Sequence, residues 1–376
     1  LCGGEQYGGV AHRPLSAIVL AAGEGTRMRS SIPKPLHKLC GRPMLLHVLD
    51  ALAELPIDRV VVVVGFRAPD VVKAVQADAP SELRIEFVEQ IEPLGTGDAT
   101  AVALTGFESG ADLLEGDLVV MPGDTPLVRP ATLAALVRIH RATDAAATLL
   151  TTVLDRPTGY GRIVRTMSGD VERIVEEAEA TDEERDIHEV ATSIYCVRHS
   201  VLAPTLRRIA PSSSNGEYYL TDAIAVLEQA GYTIATLPAP ESVEAAGVND
   251  RAQLSAAEAV VRARINERWM RRGVTMVNPE DTYVDASVEL AEEVMLGPGV
   301  ILEGTTRVDS GAVIGPYCHL VDCAVGSGAR VERSVATQAV IGKDAVVGPF
   351  AHLEMGTRVA SGARVRGVPA ETGEER

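Results

Sequence analysis

The chain has 376 residues, 46% of them hydrophobic, which is more than one core usually serves, so two domains are expected. Lys and Arg number 35 against 52 Asp and Glu, a formal net charge of −17 that repels nucleic acid and anionic membranes and obliges any polyanionic substrate to meet a local basic pocket. No apolar run approaches the ~20 residues of a membrane span, and the glycine-rich start lacks the apolar centre of a signal peptide, so a cytoplasmic protein with no nucleic-acid or membrane partner is expected.

In chain order, residues 1–14 read as a disordered tail. From Ser16 to Asn249 short β-branched runs alternate with amphipathic stretches, the pattern of a mostly parallel sheet covered by helices. Its clearest strands are Ala17 to Leu20, Val60 to Val64, Ile85 to Val88 and Leu118 to Met121. Residues 15–249 are therefore expected to form an α/β domain. Asp250 to Arg272 has neither Gly nor Pro and is rich in Ala, Arg, Glu and Leu, so 250–273 reads as a linking helix ended by Gly273. Residues 274–376 follow another rule. Aliphatic residues fall on every sixth position at Val284, Leu290, Leu296, Leu302, Val308, Ile314 and Leu320, resume after a slip at Val325 and Val331, and resume again at Ile341, Val347, Leu353, Val359 and Val365. That period fits neither a helix nor a simple strand, but it fits hexapeptide repeats that each form one face of a triangular coil, a left-handed parallel β-helix. Slips mark corners or loops. The five cysteines, Cys2, Cys40, Cys196, Cys318 and Cys323, match neither a disulfide framework nor a zinc spacing and read as buried free thiols.

The first strand runs into Leu20-Ala21-Ala22-Gly23-Glu24-Gly25-Thr26-Arg27-Met28. Small residues here let backbone N–H groups approach a ligand's phosphates, although any α/β protein can use such a turn structurally. Arg27 and then Pro33-Lys34-Pro35 add two cations close by, which favours a nucleotide. Asp124 follows an apolar strand and so sits at the carboxyl end of the sheet, where open α/β folds bind ligands. It reads as a metal ligand or as a turn-capping residue in Gly-Asp-Thr-Pro.

Taken in order, Leu20 to Met28, Pro33-Lys34, Gln90 with Leu94-Gly95-Thr96-Gly97, Gly123-Asp124, Pro157 to Arg162, Ile174-Val175-Glu176, Gly216 to Asp222 and Gly247-Val248-Asn249 resemble the bacterial N-acetylglucosamine-1-phosphate uridylyltransferase family. Members are bifunctional, with an acetyltransferase β-helix as second half. The resemblance implies a Rossmann-like nucleotidyltransferase domain that joins UTP to N-acetylglucosamine 1-phosphate, or a related sugar 1-phosphate, with release of pyrophosphate. It implies that Arg27 and Lys34 act on the triphosphate, and that Ala21, Ala22, Gly23, Gly25, Gln90, Gly95 and Thr96 hold the nucleotide. Gly161, Glu176, Tyr219 and Thr221 would hold the sugar, while Asp124 and Asn249 would bind Mg²⁺. A homotrimer built through the β-helix is implied as well.

The chain departs from the family at several points. Ala191-Thr192-Ser193 stands where the family has Asn-Thr-Gly, which removes an amide that helps hold the sugar and puts Ser193 where the family's glycine is free to adopt positive φ. Pro122 replaces an aromatic residue and Pro93 a second glutamine of the base loop. Glu354 stands at the first arginine of the acetyltransferase site, and Arg366-Gly367-Val368-Pro369 departs before its Lys and His would arrive, so a form lacking the acetyltransferase active site is expected. Two other classes compete: a trimeric hexapeptide-repeat acyltransferase with His319 or His352 as base, and a nucleotide-binding scaffold without turnover. Retention of Arg27, Lys34, Asp124 and Asn249 favours the nucleotidyltransferase.

Overall fold

The computed structural model describes residues 13–107, 116–212 and 214–367. Most of the expected tail, 1–14, and Cys2, Val368 and Pro369 lie outside these residues. Arg13 is described, and its guanidinium bonds Asp117 at 2.7 Å.

Among the described residues as far as Arg271 there are eleven strands and eight α-helices, with β1 Leu15–Leu20, β2 Lys38–Leu39, β3 Arg42–Pro43, β4 Arg59–Val64, β5 Ile85–Glu89, β6 Asp117–Pro122, β7 Ala147–Val153, β8 Arg162–Arg165, β9 Val171–Val175, β10 Glu189–Arg198 and β11 Ile234–Pro238. The helices are α1 Met44–Ala53, α2 Ala68–Asp78, α3 Thr96–Leu104, α4 Pro130–Ala142, α5 Asp182–Arg185, α6 His199–Leu206, α7 Asp222–Gln229 and α8 Arg251–Arg271.

The main sheet runs β11-β7-β10-β6-β1-β4-β5, with β8 and β9 attached beside β10. β1 pairs in parallel with both β4 and β6, and β10 is antiparallel to β6 and β7. The central strands are buried on both faces, which explains why β4 reads as an unbroken Val run rather than an alternation. Their side chains divide between two layers. Ala17, Val19, Val60 and Val62 pack with α1, α2 and α4, while Ile18, Val61 and Val63 pack with α3, α6 and α7. The chain leaves β1 for β4 and β5 on one side and returns to β6 on the other. The switch point therefore lies between β1 and β6, where the strand ends open a crevice.

The contacts divide the chain into two compact units, Leu1–His37 with Met44–Gln253, and Lys38–Pro43 with Leu254–Arg376. The β2-β3 hairpin thus groups with the second unit, where the Cys40 carbonyl accepts from Ala286 N at 2.9 Å. No hexad signal marks it in the sequence. Within that unit, Asn266 of α8 donates through Nδ2 to the Pro279 and Thr282 carbonyls at 2.8 and 2.9 Å, so the helix is clamped to the first coil.

The second unit stacks short parallel strands into sheets of six, five and five strands, the three faces of a parallel β-helix. The periodic aliphatic residues form its interior. Leu296, Ile314, Val331, Val347 and Val365 lie in register down one face, and all the expected positions are buried except Val365, in the last described coil, which is half-buried. At the slips, Leu320 to Val325, Val331 to Ala336 and Ala336 to Ile341 are each one residue short, and each turns through one left-handed corner residue, Asp322, Arg333 or Gln338. Ala336 is fully buried in register with Leu320 and Leu353, an inward position that the aliphatic period alone does not reveal because its side chain is a single methyl.

Candidate active site

The loops after β1, β5 and β6 are tied to one another by backbone bonds: Gly123 N donates to Leu20 O at 2.8 Å, Ala21 N to Val63 O at 2.9 Å and Gln90 N to Val64 O at 2.8 Å. They open a cleft of about 520 Å³ in the first unit. Its lining includes Ala21, Ala22, Gly23, Arg27, Lys34, Gln90, Gly95, Thr96, Asp124, Gly161, Glu176, Tyr219, Thr221 and Asn249. Of the residues that the resemblance assigns to the triphosphate, nucleotide, sugar and metal, Gly25 alone does not line it. Gly25 has φ 69°, and a Cβ there would lie 2.6 Å from Lys34 Cβ, so it makes room for Lys34 rather than touching the cleft.

Two cations and two oxygen ligands meet at one end. Lys34 Nζ is in ion-pair contact with Asp124 Oδ2 and donates to Asn249 Oδ1 at 2.8 Å, and Arg27 Nη2 donates to the same Asn249 oxygen at 3.0 Å. Asn249 is held from behind, because its N–H donates to Gln253 Oε1 at 2.7 Å while Gln253 N donates to Asp250 Oδ1 at 2.8 Å. This is capping chemistry at the start of α8, and the Asp250 to Gln253 spacing could have flagged Gln253, which also lines the cleft. The Asp124 and Asn249 oxygens thus converge on a single positive charge, the lysine ammonium. Hard oxygen donors in that number suit Mg²⁺, which takes one or two protein ligands and completes its shell with water and phosphate. Among the described residues no group of three or more His, Cys, Asp or Glu forms a metal cluster.

At the base-loop wall, Gln90 is buried and donates through Nε2 to Gly95 O at 3.2 Å and Asp98 Oδ2 at 2.7 Å. Both partners only accept, which fixes the amide orientation and leaves its carbonyl oxygen as an acceptor. Gly95 has φ 101° and a Cβ would come within 2.6 Å of Tyr218 O, so the close approach of these segments requires glycine. Gly97 N donates to Tyr218 O at 2.7 Å and Leu220 N donates to Thr96 Oγ1 at 3.0 Å. The Thr96 hydroxyl therefore pins the segment that carries Tyr219 and Thr221.

At the other end, Thr221 Oγ1 donates to Glu176 Oε1 at 2.8 Å, and burial together with Glu179 holds the Glu176 carboxyl above its usual range despite that bond. The Tyr219 hydroxyl accepts from Asn215 Nδ2 at 2.8 Å. Arg162, buried, donates to the Tyr160 carbonyl and to Glu177 at 2.6 Å, fixing the turn that presents Gly161. Tyr160 lines the cleft as well, its phenol pushed up by burial and by the charge of Asp124. Ala191 N donates to Gly161 O at 2.9 Å, and the register of β10 shifts between Ala191 and Tyr195. Inside that irregularity Ser193 has φ 60°, a conformation that glycine would adopt without strain. Ala191, Ser193 and the buried Tyr195 all line the cleft. Nothing in the local sequence distinguishes Tyr195 from an ordinary core aromatic.

A model of the MobA-like NTP transferase domain matches residues 17–210. A bifunctional GlmU protein of Desulfitobacterium hafniense is 45% identical over 343 residues, 91% of this chain and 73% of that relative. Others from Geobacillus sp. and Thermoanaerobacter pseudethanolicus are 40% and 41% identical over 93% and 90% of this chain and 74% and 72% of their own length. The chain belongs to the GlmU family. It is a sugar-1-phosphate nucleotidyltransferase of that family, with an NTP transferase domain ahead of a β-helix.

Proposed function

We propose that the cleft joins N-acetylglucosamine 1-phosphate to the uridylyl group of UTP. A phosphate oxygen of the sugar attacks the α-phosphorus, the bond to the bridging oxygen breaks, and pyrophosphate leaves with the electron pair. The observation that carries the reading is the convergence of Arg27, Lys34, Asp124 and Asn249 on one point beside the glycine loop. Transfer of this kind asks little covalent chemistry of a protein, so fixed cations and an in-line arrangement supply most of the acceleration. Arg27 and Lys34 would neutralise the triphosphate. Asp124 and Asn249 would hold Mg²⁺, which neutralises phosphate charge when bound.

For the base, the Gln90 carbonyl oxygen needs an N–H to accept, which uracil N3 offers and cytosine N3 does not. Ala21, Ala22, Gly23, Gly95 and Thr96 would shape the nucleotide wall, and Gly161, Glu176, Tyr219 and Thr221 the sugar wall. Homotrimer formation through the β-helix is part of the proposal, supported by the exposed Tyr283 and Val335 on one outer face. No described helix is long and apolar enough to cross a membrane, and a cytoplasmic location is consistent with that. Pyrophosphate release measured across the common nucleoside triphosphates and a panel of sugar 1-phosphates tests the reading. Highest kcat/KM with UTP and N-acetylglucosamine 1-phosphate is expected, and release with another pair alone would overturn the substrate assignment.

A further inference from the structure

Gln90 is 7% exposed and lines the cleft, and the two ends of its amide have different duties. Nε2 donates to Asp98 Oδ2 at 2.7 Å and to Gly95 O at 3.2 Å. Among the described residues Oε1 has no donor of its own and is not fully enclosed, so it is the acceptor left open to a ligand. The two ends of a primary amide have nearly the same shape, and only the partners decide which of them faces the cleft. Of those partners the carboxylate makes the shorter bond and carries charge, so it holds the stronger claim on the amino group. Turning the amide round would set Oε1 against a carboxylate and a carbonyl with no hydrogen between them. Asp98 itself stands outside the cleft lining, half-buried in the first turn of α3. A carboxylate there also favours the helix N-terminus, which accounts for an acidic residue but not for its bond to Gln90.

We infer that Asp98 is a positioning residue that sets the uracil selectivity of the cleft by holding the Gln90 carbonyl oxygen toward the base. With the carbonyl presented, uracil N3–H finds an acceptor, whereas cytosine N3 brings lone pair against lone pair. With the amide turned, its amino group would suit cytosine N3 and oppose uracil N3–H. The same glutamine thus serves either base, and discrimination lies in what orients it. The inference rests on the functional reading above and adds to it a residue that does not line the cleft.

The test compares kcat/KM for UTP and CTP, at saturating N-acetylglucosamine 1-phosphate and Mg²⁺, in the full chain as wild type, Asp98→Asn and Asp98→Ala. Calorimetric binding of both nucleotides runs alongside. Asparagine keeps the shape of the side chain but can offer its carbonyl or its amino group, so it supports both orientations of Gln90, while alanine supports neither. The preference for UTP should fall about tenfold in each variant, the lower end of what a hydrogen bond to a charged group is worth, because Gly95 O still favours the native orientation. KM for the sugar phosphate should stay unchanged. In a Gln90→Ala background Asp98→Asn should leave the ratio where it stands, since a positioning residue then has nothing to position; a further shift there counts against the inference. An unchanged UTP-to-CTP ratio in an active variant overturns it. So does an equal loss with both nucleotides, the mark of a helix-end role alone. If turnover is lost outright, the two binding constants decide by the same ratio. A wild type with no preference for UTP over CTP brings down the functional reading and this inference with it, whereas variants that keep a wild-type preference refute the inference alone.

Discussion

Gly25→Ala should damage catalysis although the residue does not line the cleft. The added Cβ would stand 2.6 Å from Lys34 Cβ, against about 3.5–4.0 Å for an unstrained carbon contact, so the start of the lysine side chain must retreat by roughly 1 Å. The clash lies at the base of the side chain, where rotation of its far end gives no relief. Lys34 Nζ is in turn held at 2.8 Å from Asn249 and against Asp124, so the displacement reaches the point where both cations meet. A misplacement of that size costs up to about a hundredfold in rate. The left-handed backbone at φ 69° adds roughly 1–2 kcal/mol of strain for any residue with a Cβ, or a melting temperature lower by about 2–8 °C in a domain of this size. Steady-state pyrophosphate release and a thermal melt measure both. Gly23→Ala is the contrast, because a Cβ there meets no atom within 4 Å. It should leave the melt of the free protein unchanged and act only on substrate binding. A Gly25→Ala protein with wild-type kcat/KM and an unshifted melt would refute the reasoning.

Asp124→Ala and Asn249→Ala should each impair turnover and raise the Mg²⁺ concentration at half-maximal activity, with wild-type activity abolished by chelator and restored by Mg²⁺; chelator-insensitive activity would sink the metal assignment. Ala191→Asn combined with Ser193→Gly should increase the preference for N-acetylglucosamine 1-phosphate severalfold, since a net hydrogen bond contributes ~0.5–1.5 kcal/mol and glycine relaxes the backbone at φ 60°. An unshifted ratio of kcat/KM values would mean that residue 191 does not meet the sugar. Asp117 is the pH-sensitive structural group. Burial alone would raise its carboxyl, but the contact of His140 at 3.3 Å, the bond from Arg141 and the charge of Arg13 outweigh this and hold it below the usual range. A carboxyl lowered by folding contributes stability above its unfolded value, near pH 4, and loses that contribution as the pH falls through the folded value. Urea melts should therefore weaken below about pH 4, and Asp117→Asn should lose roughly 1.5–3 kcal/mol at pH 7 with a flatter acid limb. An equally steep limb in the variant would show that other carboxyls govern it.

Much of this protein was legible from the order of its residues, because the signals involved are periodic or local. The β4 valine run, the uninterrupted helix from Arg251 to Arg271 and the sixfold aliphatic beat each state a backbone geometry and a buried face within a few residues. So does the glycine-bounded loop after β1. Arg27, Lys34, Asp124 and Asn249 could be named one by one, but only the sheet brings residues 222 positions apart to 3.0 Å, as Arg27 and Asn249 show. Tertiary packing alone decided the rest. It moved Gly25 from the cleft wall to a place beneath Lys34, and it gave Ala336 an inward position that its small side chain conceals. It also set β10 antiparallel in a mostly parallel sheet and grouped the β2-β3 hairpin with the second unit. A periodic pattern reports which face of an element is buried. Which atoms meet across that buried space depends on strands far apart in the chain, and no window of sequence contains both.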